Sequence, residues 1–89
     1  MVVVVCDHSK YVPYGVDNVA TLFGVFDSVL IAKEAVEKQF PTARDTVNDP
    51  AFEMYLEISE DENIYFRFID GVSMNEVRSD VVGGAYYKE

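Results

Sequence analysis

With one cysteine, one histidine and no tryptophan among 89 residues, the chain has little material for several kinds of chemistry. Cys6 has no second cysteine with which to form a disulfide, and that fits a reducing compartment. A zinc cage would have to lean on carboxylates, an uncommon donor set. The acidic stretches Asp45 to Asp49 and Ser59 to Asn63 offer oxygens, but neither has EF-hand spacing or its obligatory glycine. The Gly83-Gly84 pair has no helical pattern behind it, so no phosphate-cradling loop is expected. Neither a metal nor any other cofactor is expected.

Basic residues are also scarce: seven Lys and Arg face sixteen Asp and Glu, for a net charge of −9. Such a balance repels nucleic acid and anionic membranes and attracts basic proteins. Direct binding of DNA or RNA is therefore not expected, nor is membrane attachment. Val2 to Cys6, the one long apolar run near the start, is too short to span a bilayer or form a signal-peptide core, and it lacks a basic leader. The expected location is the cytoplasm.

What is present suits a single domain over residues 1–89. Hydrophobic residues make up 49% of the chain, enough for one compact core and too much for an acidic disordered tail. Val2 to Val5 reads as a buried central strand, or as one paired with a second copy. Asp7 to Asn18, with Pro13 and Gly15, reads as a connection. Val19 to Phe26 alternates as a second strand, where Gly24 marks a bulge or a close neighbour. Asp27 and Ser28 offer caps for a helix running to about Gln39 before Pro41. With Asp27 as the cap, Phe26 would staple to Ile31. A stripe of Val29, Ile31, Ala32, Ala35, Val36 and Phe40 faces the core, opposite Lys33, Glu34, Glu37 and Lys38, and leaves Leu30 exposed.

The most sharply patterned stretch runs from Phe52 to Ile69. Phe52, Met54, Leu56 and Ile58 alternate with Glu53, Tyr55 and Glu57, and Ile64, Phe66 and Phe68 alternate with Tyr65 and Arg67. Successive strand residues point to opposite faces, so this hairpin has one apolar face and one of carboxylates and tyrosines. Pairing Ile58 with Ile64 would set Met54 opposite Phe68 and Tyr55 opposite Arg67. Residues 72–78 fit either a further strand or a short helix. The expected fold is thus α+β: an antiparallel sheet of four to five strands with one helix on one face, in the order β-β-α-β-β and with room for another strand.

Phe23-Gly24-Val25-Phe26-Asp27-Ser28, followed by Ala32-Lys33, is similar to a pattern in small acidic proteins encoded by bacteriophages. There a strand ending in Gly-Val-Phe-Asp/Ser-Ser runs into a helix with Ala-Lys one turn in. Val29, Leu30 and Ile31 depart from it, standing where polar and acidic residues are common. The resemblance covers residues 23–33 and implies a viral, host-directed origin.

Two constellations bear on function. Cys6-Asp7-His8-Ser9 sets reactive types side by side, but neighbours on an extended chain point in alternating directions and cannot align as a triad. No enzyme is expected. The second is an acidic surface comprising Glu53, Glu57, Glu60, Asp61 and Glu62, adjoined by Glu76 and Asp80, with Tyr55 and Tyr65 as contact area. Residues 1–44 hold five acids against four bases, and residues 45–89 hold eleven against three. The expected partner is a basic DNA-binding host protein: a nucleoid protein, nuclease or defence component, inhibited when carboxylates occupy its Lys and Arg contacts. Same-face carboxylates on a strand sit about 6.6–6.8 Å apart, whereas duplex DNA carries about one charge per 1.7 Å. Imitating DNA therefore needs several strands, or a dimer. The alternative is a homodimeric structural or assembly module.

Overall fold

A computed structural model describes residues 1–71. The expected strand or helix at 72–78 and the site candidates Glu76 and Asp80 lie outside the described residues. Within them the elements are β1 (Val2–Val12), β2 (Gly15–Phe26), α1 (Val29–Gln39), β3 (Arg44–Asp45), β4 (Glu53–Ser59) and β5 (Glu62–Asp70). The five strands make one antiparallel sheet in the order β2-β1-β5-β4-β3. The expected α+β class is what forms, with the two-residue strand β3 added between α1 and β4. The chain leaves the sheet at one edge, β2, and α1 carries it across one face to β3 at the other edge.

The valine run is central because it is apolar on both sides. Val2 and Val4 join the helix-side core, while Val3 and Val5 form a smaller cluster on the opposite face with Met1, Ala20 and Val25. β1 is flanked along this run by β2 and β5. That placement is the buried central strand expected, and it rules out the alternative in which Val2 to Val5 pairs with a second copy, since both of its edges are taken. The helix-side core centres on Phe66, fully buried and ringed by Phe23 at 5.8 Å, edge-on, and Phe40 at 5.2 Å. Burying a phenylalanine of this kind contributes about 1.5–3 kcal/mol.

Three sequence expectations shift. Asp7 to Asn18 is mostly strand: β1 continues to Val12, the chain turns through Pro13-Tyr14, and β2 begins at Gly15, whose φ of +150° suits only glycine. Its polar residues disguised it, because beyond the helix neither face of the sheet has to be apolar. β2 carries a bulge at Phe23, which lets Phe23 and Phe26, three apart, both reach the helix-side core while Ala20 and Val25 face away. Finally, Ser28 rather than Asp27 caps α1, its Oγ accepting from the Ile31 amide at 3.2 Å. Ile31 then turns outward and is 46% exposed, so the expected staple with Phe26 gives way to a stripe centred on Ala32 and Val36. Leu30 is exposed, as expected.

Candidate protein-contact face

β4 and β5 are joined by a two-residue turn, Glu60-Asp61, tighter than the loop the sequence suggests. Met54 sits opposite Phe66, Leu56 opposite Ile64 and Tyr55 opposite Tyr65. The register is thus two residues from the expected one, and Ile58 is the extra residue of a bulge before Ser59. A slip of two preserves the sorting of faces, since side chains alternate with period two. Met54, Leu56, Ile64, Phe66 and Phe68 all pack on the helix side.

The other face of this hairpin carries Glu53 opposite Arg67, Tyr55 opposite Tyr65, and Glu57 opposite Asn63. β3 adds Arg44 opposite Tyr55, and β1 adds Asp7 opposite Tyr65. The two tyrosine rings stack with centroids 6.0 Å apart at 28°. Glu53 is half-buried and positioned from below: Thr46, itself buried, donates its hydroxyl to Glu53 Oε1 at 3.0 Å and its amide to the Glu53 carbonyl at 3.0 Å. Glu57 is exposed at the rim of a shallow recess shared with Thr42, Arg44, Tyr55 and Leu56.

Four of the expected contact residues (Glu53, Tyr55, Glu57 and Tyr65) therefore meet on one face. Glu60 and Asp61 stand exposed in the turn at its end, where Ser59 Oγ accepts from the Asp61 amide at 3.2 Å. Glu62 does not join them. It lies on the helix side in step with Ile64, and its Oε2 is 2.6 Å from His8 Nε2. Sequence reasoning missed Arg44, because β3 exists only through its pairing with β4 and leaves no periodic signal. As a result the face is mixed: Asp7, Glu53 and Glu57 share it with Arg44 and Arg67. The unrelieved negative charge is at the tip. From Glu57 through Asn63 the chain has four acids and no base, and Lys10 stands opposite Glu62 on β1.

The other constellation is divided by the strand. Cys6 packs against the helix-side core, and His8 is on the same side with Glu62. Asp7 and Ser9 point the opposite way, where the Asn18 side-chain amide donates to Asp7 Oδ1 at 2.6 Å and to Ser9 Oγ at 2.8 Å. Among the described residues, no three His, Cys, Asp or Glu side chains converge as a metal cage requires, and no helix is long and apolar enough to cross a membrane. Comparison with protein families, curated proteins and solved structures finds no match to this chain.

Proposed function

We propose that this protein acts by protein–protein contact, without catalysis, and inhibits a basic nucleic-acid-binding host protein, in keeping with a phage origin. The observation that carries this reading is the juxtaposition of a stacked tyrosine pair with an exposed acidic tip on one hairpin. Tyr55 and Tyr65 offer broad amphipathic area at low entropy cost. Glu57, Glu60 and Asp61 lie beside them, where they steer a cationic partner and pair with its Lys or Arg groups. Glu53 contributes a carboxylate already held by Thr46. Because Arg44 and Arg67 interleave on the same face, the surface matches a partner whose basic patch contains an acid of its own. A uniform imitation of the DNA backbone is the poorer match.

The test is charge reversal at the tip. Glu57→Lys, Glu60→Lys and Asp61→Lys together should slow association with a basic nucleoid protein about tenfold or more. All three positions are exposed, so the urea midpoint should hardly move. An unchanged association rate contradicts the proposal.

A further inference from the structure

The two edges of the sheet are built differently. At one edge, β3 is two residues long and both are charged, Arg44 and Asp45. Short, charged edges resist pairing with other chains. At the other, β2 runs twelve residues with one charge, Asp17, and without lysine, arginine or proline. Among the described residues no strand pairs with its outer side. Val16, Val19 and Leu22 are 53%, 49% and 39% exposed along it.

The direction of its amides follows from β1. Tyr11 donates its amide to the Asp61 carbonyl at 2.7 Å, toward β5, so the Tyr11–Val16 pair is not a hydrogen-bonded one. In an antiparallel ladder such residues turn their backbone groups away from each other, and the pattern alternates. Val16, Asn18, Ala20 and Leu22 therefore direct N–H and C=O to the free edge, up to the bulge at Phe23.

We infer that this edge pairs with β2 of a second copy of the chain, antiparallel about a two-fold axis at Val19, to give a continuous ten-stranded sheet. That register makes Val16–Leu22 and Asn18–Ala20 hydrogen-bonded pairs and sets Val19 against its own copy. It places Asp17 opposite Thr21, whose hydroxyl can donate to the carboxylate. Centring on Asp17 would oppose two like charges, and centring on Ala20 would set Asn18 against Leu22. Of these three registers, the one at Val19 sets Val16 against Leu22, Asp17 against Thr21 and Val19 against itself, and leaves only Asn18 and Ala20 as a mixed pair. It also closes the assembly, since two-fold pairing uses both long edges and leaves, among the described residues, only the charged β3 edges outside. This inference does not depend on the acidic tip having a partner.

The experiment is sedimentation of the full chain from about 1 to about 100 µM, the range in which a micromolar dissociation constant registers. The unmodified chain should sediment as a dimer at the upper end. Val19→Lys and Val19→Glu should each sediment as monomers, because like charges would meet at the axis, and an equimolar mixture should restore the dimer. In hydrogen exchange on the unmodified chain, the Asn18 and Ala20 amides should be protected at high concentration and lose protection on dilution. A monomer throughout, as when another segment fills the edge, overturns the inference, and so do dimers that survive both substitutions. So does exchange at Asn18 and Ala20 that ignores concentration.

Discussion

Gly24 shows how one missing side chain shapes the β2 end of the core. A Cβ at this position would come within 2.9 Å of the Phe26 ring, which folds back over it. That approach lets Phe26 join Phe23, 6.2 Å away, on the helix side despite the bulge. Gly24→Ala should therefore displace the ring and destabilise the fold by about 1–3 kcal/mol, read as a lower urea midpoint. In a Phe26→Ala background the same change should cost little, and the double-mutant cycle measures the coupling. The glycine was legible in the sequence as a bulge or a close approach, and it marks both. The identity of its neighbour was not, because strict alternation put Phe23 and Phe26 on opposite faces until the bulge rotated one relative to the other.

At the scale of elements, periodic patterns were readable and pairing was less so. Phe52 through Ile69 announced a two-faced hairpin, and the sorting holds for Met54, Leu56, Ile64, Phe66 and Phe68, whereas Phe52 and Ile58, expected on the same apolar face, are exposed. Its register moved by two because Ile58 bulges and the turn needs only Glu60 and Asp61, neither of which leaves a periodic mark. The outer half of β1, Asp7 to Val12, was hidden for a different reason. Strand signals in sequence come from burial, and this stretch extends past the helix, where Asp7, Ser9 and Lys10 can be polar without penalty. For α1, hydrophobic spacing gave the helix and its end near Gln39, while two adjacent capping residues left its start open by one position. Ser28→Ala should cost about 1 kcal/mol through the lost bond to the Ile31 amide. Asp27→Ala should cost less, and thermal melts of the pair decide which oxygen caps the helix. Lys33 is a further case. Expected on the solvated stripe, it reaches Asp45 Oδ1 at 2.8 Å and the Pro50 carbonyl at 2.6 Å. It thereby ties α1 to the segment between β3 and β4, a contact that depends on how the chain returns.

For the whole molecule, the arrangement sets what the charge can do. The net charge of −9 was plain from composition, and its bias to the second half suggested a negative sheet face. Folding arranges it: Arg44 and Arg67 are brought among Glu53, Glu57 and Asp7, Glu62 is turned to His8, and Glu57, Glu60 and Asp61 stand exposed at the β4–β5 tip near the tyrosine stack. Steering by such a tip weakens as salt shortens the reach of its field, to about 10 Å at 0.1 M and less above. The most direct measurement is the affinity of the unmodified chain for a basic nucleoid protein across ionic strength. It should fall about tenfold or more between low and moderate salt. An affinity that stays flat over that range would contradict a contact driven by the acidic tip.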